Sequence, residues 1–373
     1  LSSMLHIVYA VPVLNCSTPR ATILPLTALT LMINTVFGAM SSDMAIDMGT
    51  FQTRILIRGR DGLARAPSAV SILQGKDGER RIMAVGEDSW AMLGRTPADV
   101  RVIRPIRDGL ITEFDVAEAL LRHQMVNIQG RRLWVGPRVA MCIPYGTTEV
   151  ERRAVRELAE AAGARTVHLV EQPLAAAAGA GLHVTEACGQ MDVDIGAGHT
   201  QVAVISLGGI VYSRCVKVGG DHMDQAIIRH LESHHGLTIG TVSANALKDG
   251  LGTALPVVND QSMEVRGRDV ETGFPRAVQV AQVDVGAATQ ESVQLIVDAV
   301  VASLEHTPPD LVADIAATGI VLVGGVAQLE GLERAIGHAT GLAVVVAEDP
   351  SACTVRGAAM ALENQVLLQA AAG

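Results

Sequence analysis

The sequence predicts an α/β fold built twice, with two similar halves facing each other across a cleft. Two observations carry this. The stretches Ile46-Asp47-Met48-Gly49-Thr50-Phe51-Gln52-Thr53 and Asp194-Ile195-Gly196-Ala197-Gly198-His199-Thr200 share one grammar: an Asp closing a strand, a glycine turn, a hydroxyl residue, then another β-branched strand. Each is followed by short apolar strands alternating with helical patterns, the mark of β-α units. At 373 residues there is chain enough for two domains with substantial cores. A glycine-rich hairpin tip exposes backbone N–H groups that can hold phosphate. Two such tips facing each other would clamp a nucleotide's phosphates and, through Asp47 and Asp194, a hydrated Mg²⁺.

Composition narrows the class. Charged residues make up 18% and hydrophobic residues 49%, which places the chain among globular proteins. A net charge of -10 without a long Lys/Arg cluster argues against nucleic acid as the main partner and suits a cytoplasmic protein. The five cysteines are scattered, with no CxxC pair, and read as reduced thiols. Aromatic residues are only 2%, so the cores must be built from Ala, Val, Ile, Leu and Met.

In chain order, residues 1 to 43 form an extension, uncharged from Ala21 to Ser42. It reads either as a spurious leader ahead of a start near Met32 or as a membrane-associating segment, with Pro25 and four Thr weighing against a span. Met44 to Gly59 is the first strand pair, and Leu63 to Gln74 continues the sheet. Trp90, Met92 and Leu93, just before Gly94, read either as a membrane-dipping edge or as a helix end packed on its own subdomain. Arg104 to Gly109 is a turn segment, and Asp115 caps a helix with Val116, Leu120, Leu121 and Met125 at helical spacing. Val139 to Ile143 is a buried strand, Thr148 opens a helix, Thr166 to Val170 is a strand, and Gln172 to Gly179 is a small-residue helix. After the second hairpin come a strand from Ile210 to Val218 and a helix opened by Gly219, Gly220 and Asp221, a second place where phosphate could sit. A helix around Ala244 to Leu251, strands near Met263, a long helix over Ala287 to Leu304, and the strand Ile320 to Val323 running into Gly324-Gly325 follow. The chain ends with a strand over Ala343 to Val346 and a helix from Val355 to Leu368. Domain limits fall at 44–182 and 183–365, with a tail over 366–373.

Taken in order, Ile46 to Thr53, Asp194 to Thr200, Gly219 to Asp224 and Val321 to Gly325 resemble the actin, Hsp70 and sugar-kinase ATPase superfamily. The linking text, Arg104-Pro105 with Asp108-Gly109, the helix Thr148 to Arg156, Val202 to Ser213 and Thr307-Pro308-Pro309, resembles the MreB family of bacterial actins. That resemblance implies an actin-like (ribonuclease H-like) duplicated fold, two domains each with a smaller subdomain, and ATP with Mg²⁺ in the cleft. It implies self-assembly into filaments peripheral to the inner face of the plasma membrane, where they partner cell-wall elongation proteins and determine cell shape. The membrane contact would run through residues 32–43 and Trp90, Met92 and Leu93. By position, Asp47 and Asp194 match metal-facing aspartates acting through water. Gly49, Thr50, Gln52, Thr53, Gly196, Ala197, Gly198 and Thr200 match the phosphate hairpins. Gly219, Gly220 and Asp221 match the second-domain loop, Lys248 a ribose-facing position, and Gly324 and Gly325 the adenosine turn. Gln172, His199 and Asp194 match the catalytic positions.

The departures fall on the cleft. Gln172 stands where the family usually has Glu, and Gln orients water but is no general base. Ala197, His199 and Gln201 replace Gly, Thr and Glu. Ala197 is expected to strain a turn that wants φ > 0, and His199 is either a solvent-facing turn residue or a phosphate contact. Val326 replaces a third Gly, Asn245 and Gly250 replace acidic residues, and Arg54 replaces an apolar one. The resemblance therefore implies retained nucleotide binding with slow polymerisation-coupled hydrolysis, or a hydrolysis-deficient paralogue serving as scaffold or regulator of a sibling filament.

Overall fold

A computed structural model describes residues 43–58, 62–75, 79–129, 136–257, 261–364 and 367–368. Strands β1 (Met44–Met48) and β2 (Gln52–Ile57) form an antiparallel hairpin that sets Asp47 opposite Arg54, and β3 (Leu63–Pro67) extends it. The chain then leaves this sheet instead of continuing it as the sequence suggests. Ser68 sits at the break, anchored to the hairpin: its N–H donates to Phe51 O, and its hydroxyl donates to Gly49 O (2.7 Å) and pairs with the Thr53 hydroxyl (2.9 Å). Beyond it, β4 (Val70–Gln74), β5 (Arg80–Val85) and β6 (Val100–Ile103) make a separate sheet, with helix α1 (Glu87–Ala91) between the last two. Strands β7 (Ile106–Arg107) and β8 (Leu110–Ile111) form a tight hairpin whose turn residues Asp108 (φ 50°) and Gly109 (φ 77°) are both left-handed, as a two-residue turn of this hand requires.

Helix α2 (Phe114–Gln129), β9 (Arg138–Ile143), α3 (Glu149–Ala161), β10 (Thr166–Glu171) and α4 (Gln172–Gly179) complete the first half. Asp115 lies inside the first turn of α2 and not at its cap, a position that still faces the positive end of the helix. Thr148 caps α3 in a reciprocal box: Glu151 N–H donates to its hydroxyl, and its own N–H donates to Glu151 Oε2 at 2.8 Å.

The second half holds β11 (Gln190–Ile195), β12 (Thr200–Ser206), β13 (Gly209–Val216), α5 (Gly220–His235), β14 (Leu237–Thr238), α6 (Thr241–Leu251), β15 (Ser262–Asp269) and β16 (Pro275–Ala281). It continues through α7 (Gln282–Glu305), α8 (Pro309–Thr318), β17 (Ile320–Val323), α9 (Leu332–Thr340), β18 (Val344–Val346) and α10 (Cys353–Glu363). The main sheets run β3-β2-β1-β9-β10 and β13-β12-β11-β17-β18. In each, a strand, its hairpin partner and the next strand are antiparallel, while two crossover strands lie parallel on the other side. The duplication is therefore one of topology. Strands β14, β15 and β16 form the small sheet of the second half.

Alternation along the first strand of each half decides what lies on each face. Met44 and Ile46 pack under Leu120, Leu121 and Leu158, and Met191, Val193 and Ile195 pack under Ile296, Val300 and Leu332. On the opposite face, α10 returns to the first sheet, where Val355, Ala358 and Ala361 cluster with Ala45, Ala140 and Cys142. It crosses α4 so closely that a Cβ on Gly179 would collide with Cys353 O and one on Gly357 with Ala175 O. Small residues at that crossing bring two helix backbones into contact and fix the halves against each other.

Trp90 is half-buried, its ring edge-on to Phe51 at 5.0 Å, and Met92 and Leu93 are half-buried beside it. The more exposed apolar side chains of that subdomain are Ile82 and Met83 on β5. Residues 32–42 and most of the tail lie outside the described residues. Among the described residues no helix is long and apolar enough to cross a membrane.

Candidate functional site

A cavity of about 530 Å³ opens between the halves, walled by the tips of both main hairpins, the start of α5, α6 and the turn after β17. Most of the sequence-predicted residues meet there. Asp47, Gly49, Thr50, Gln52, Gln172, Asp194, Gly196, Ala197, Gly198, His199, Gly220, Asp221, Lys248, Gly324 and Gly325 all line it. Thr53, Thr200 and Gly219 stand behind the wall. The Thr53 hydroxyl pairs with Ser68, the Thr200 hydroxyl donates to Val218 O (2.8 Å), and a Cβ on Gly219 would lie 2.5 Å from Gly196 O.

The hairpin tips are built to accept an anion. The N–H groups of Thr50, Phe51, Ala197 and Gly198 have no hydrogen-bond partner among the described residues. Unsatisfied donors converging from two tips are an energetic cost that a bound anion removes. The start of α5 works differently from the expectation of a phosphate contact: Gly220 N–H donates to Gly196 O (3.1 Å) and Asp221 N–H to Ala197 O (2.8 Å). Those groups brace the second hairpin from behind. The strain expected at Ala197 is absent, since its φ is negative and the turn closes through Gly196 N–H to His199 O at 3.0 Å. Gly198 is needed for space instead, because a Cβ there would lie 2.8 Å from Asp108 Oδ1 and 2.9 Å from Thr50 Oγ1 across the cleft.

Two carboxylates lie at the floor. Asp47 is buried; burial pushes it above its ordinary range, while Arg54 and Gln172 pull it back. Arg54 Nη1 sits 3.4 Å from its Oδ2, and Gln172 Nε2 donates to its Oδ1 at 3.3 Å. Among the described residues Asp194 accepts only the Thr354 hydroxyl, at 3.3 Å, and burial with the nearby Asp47 charge pushes it up to about 6. Two enclosed carboxylates against one guanidinium leave a negative excess, so the donor set fits a hydrated divalent cation.

His199 is half-buried and turned inward, not out to solvent. Its Nδ1 is enclosed without a partner among the described residues, and burial pushes the ring below its ordinary range. Gly324, at φ 87°, has no room for a side chain, since a Cβ would lie 2.6 Å from Asp194 Oδ1, whereas one on Gly325 would meet nothing. Lys248 Nζ donates to Asp224 Oδ1 (2.7 Å) and Gly220 O (3.2 Å), which ties α6 to α5.

The sequence reading missed three participants. Thr354, the second residue of α10, carries no local signal. Asp224 reads as an ordinary helix carboxylate. Arg104 reads as part of a turn, yet its Nε donates to Thr50 O (3.0 Å) while its Nη1 and Nη2 grip Asp221 at 3.2 and 2.7 Å, so it bridges the halves.

A family model described as MreB/Mbl protein matches residues 41–370. The cell shape-determining protein MreB of Escherichia coli is 45% identical over 334 residues, covering 89% of this chain and 96% of that protein. The cell shape-determining protein Mbl of Bacillus subtilis is 38% identical over 322 residues, covering 86% and 96%. In structure, MreB 5 of Spiroplasma citri bound to AMPPNP superposes with a TM-score of 0.80 at 30% identity, covering 86% of this chain and 95% of that one. With its duplicated sheets and central cleft, the chain has the actin-like two-domain fold and belongs to the MreB/Mbl family.

Proposed function

We propose that the chain binds ATP with Mg²⁺ in this cleft, self-associates into filaments, and determines cell shape by organising cell-wall elongation at the inner face of the plasma membrane. The observation that carries the reading is the pair of hairpin tips, with the unpartnered N–H groups of Thr50, Phe51, Ala197 and Gly198 facing one cavity above Asp47 and Asp194. The AMPPNP on the Spiroplasma relative supports the same ligand class here. Asp47 and Asp194 would hold Mg²⁺ through water, and the ion supplies neutralisation of phosphate charge. The chain's own work is positioning: the tips orient the phosphates, Gly324 lets the adenosine approach backbone, and Gln172 and His199 place water. Head-to-tail contacts that do not close into a ring yield filaments, which multiply weak membrane contacts through residues 32–43 and the Trp90 region and recruit inner-membrane elongation partners.

One observation favours a second reading. Gln172 is no general base, and the adjacent carboxylate Glu171 is held by Arg152 at 2.7 Å, so among the described residues no free carboxylate stands at the head of α4. A hydrolysis-deficient scaffold or regulator of a sibling filament is the consequence. Binding of a fluorescent ATP analogue, phosphate release and filament pelleting, each with and without Mg²⁺, decide between them. Binding with turnover that rises on assembly, both lost in Asp194→Ala, supports the working filament. Binding and pelleting without phosphate release select the scaffold, and absence of binding removes the nucleotide reading altogether.

A further inference from the structure

Away from the cavity, three metal-ligating side chains converge between α5 and α7. His230 lies in the penultimate turn of α5, His235 is its last residue, and Asp284 sits in the first turn of α7. One donor atom from each falls within 4.8 Å of the other two. His235 Nε2 is 3.2 Å from Asp284 Oδ2, and His230 Nε2 is 3.7 Å from Asp284 Oδ1. The longer separation is no hydrogen bond, and His230 Nε2 is enclosed with no partner among the described residues. An enclosed ring nitrogen aimed at a carboxylate yet not bonded to it is costly unless something sits between them.

The spacing suits a metal. Bonds of about 2.0–2.2 Å to nitrogen and oxygen separate tetrahedral ligand atoms by roughly 3.3–3.6 Å; the two histidine-to-carboxylate separations, 3.2 and 3.7 Å, bracket that range, and all three donors lie within 4.8 Å of one another. The ligands are also set from behind. Ala281 N–H donates to Asp284 Oδ2 at 3.2 Å, and the His230 ring stacks on His234 with centroids 4.1 Å apart. Such backing fixes ring and carboxylate orientation before an ion arrives. Two imidazoles with one carboxylate select a first-row transition dication over Mg²⁺ or Ca²⁺, which prefer oxygen alone.

We propose that His230, His235 and Asp284 form a binding site for a transition-metal dication of the Zn²⁺ type, which staples the C-terminal end of α5 to the N-terminal end of α7 and leaves a fourth position for water. The staple bears on the cleft through α5 itself, because the same helix presents Gly220, Asp221 and Asp224 to the cavity. Nothing in this assignment requires nucleotide, so it stands or falls independently of the cleft.

The test uses the full chain, stripped with chelator and titrated with Zn²⁺ alone by calorimetry, with Co²⁺ as spectroscopic probe. Cys16→Ser, Cys188→Ser and Cys215→Ser in the background remove Cys16 and the two thiols that are not buried among the described residues as competing ligands. The expected result is one equivalent of Zn²⁺ bound, a higher melting temperature, and visible Co²⁺ absorption of tetrahedral strength. His235→Gln should weaken binding by about tenfold or more. Asp284 also caps α7, so the His230→Gln/His235→Gln double variant, which leaves that cap intact, is the second probe and should abolish the Co²⁺ band. No saturable Zn²⁺ binding, or binding unmoved by the histidine substitutions, overturns the proposal.

Discussion

The two main hairpins share a backbone plan and a register but differ in how each aspartate and each glycine is held. Asp47 in the first half has both oxygens engaged, by Arg54 and Gln172, whereas Asp194 in the second accepts a single hydroxyl from Thr354. Gly49 is tight against its own hairpin, since a Cβ would lie 2.8 Å from Gln52 O, whereas Gly198 is tight only against Asp108 and Thr50 of the other half. The first hairpin is thus self-contained. The second is completed across the cleft and carries the uncompensated charge, so whatever enters the cavity acts first on the second.

The glycines give the largest test of this contrast. Gly49→Ala forces a Cβ into its own turn and should cost about 3 kcal/mol of stability, read from urea or thermal unfolding. Gly198→Ala can be relieved by opening the cleft. It should leave the melting temperature within a few degrees of wild type while weakening ATP-analogue binding by about tenfold or more, some 1.4 kcal/mol. Equal losses of stability in both variants would break the comparison.

Charge gives the next. Asp194 is raised by burial and by Asp47 to about 6. A carboxyl raised in the folded state contributes stability that is full below its unfolded value near 4 and is lost as pH climbs through 6. The nucleotide-free protein should therefore lose of order 2–3 kcal/mol from this group between pH 4 and pH 7, and Asp194→Asn should flatten that slope and raise the melting temperature at neutral pH. Asp47→Asn should also flatten the slope, because burial raises Asp47 as well and its charge is part of what raises Asp194, but it should lower the melting temperature at neutral pH, because it leaves the Arg54 guanidinium, only 15% exposed, without its counter-charge. Equal melting temperatures of the two variants at neutral pH would show that the aspartates are equivalent after all.

Arg54 sharpens the contrast further. A guanidinium beside Asp47 supplies part of the positive charge that a divalent ion would otherwise bring. Arg54→Val should make binding of the ATP analogue more dependent on Mg²⁺, widening the ratio of affinities with Mg²⁺ and with chelator by about tenfold, or 1.4 kcal/mol. An unchanged ratio would mean that Arg54 serves Asp47 alone.

These asymmetries mark where sequence reasoning stopped. Both hairpins, the α4 segment and the β17 turn were legible because each rests on local chemistry: Asp at a strand end, glycine at a turn, small residues in a run. The departure at Arg54 was visible too, but its partner was not, since pairing Asp47 with Arg54 needs the hairpin register. Proximity across the chain was invisible. Arg104 lies 117 residues from Asp221, Thr354 lies 160 from Asp194, and the squeeze on Gly198 comes from Asp108. Helices α8 and α9 escaped because Pro309 reads as a stop where it serves as the first residue of a helix, and a glycine at each end of α9 makes Leu332–Thr340 resemble loop. Asp192 looked like an ordinary strand residue. It is fully buried with no hydrogen-bond partner for either oxygen among the described residues, and burial together with Asp194 pushes it well above the usual carboxylate range.

The smallest expected effect falls on a side chain that bridges the two halves. Arg104 reaches from the first half with Nε on Thr50 O and closes a two-pronged grip on Asp221, whose N–H in turn braces Ala197 of the second hairpin. The pair is part-exposed, with Arg104 and Asp221 at 19% and 28%, so its contribution to stability should be only about 0.5–1 kcal/mol. Its leverage is on opening, because separating the halves breaks both bonds to Asp221 at once, while the bond to Thr50 O stays within the first half. Arg104→Lys keeps the charge but not the planar fork. It should leave the melting temperature nearly unchanged and speed release of a bound ATP analogue several-fold in stopped-flow displacement, and added salt should reduce the difference between wild type and variant. Release rates that match wild type at low salt would show that Arg104 does not hold the cleft shut.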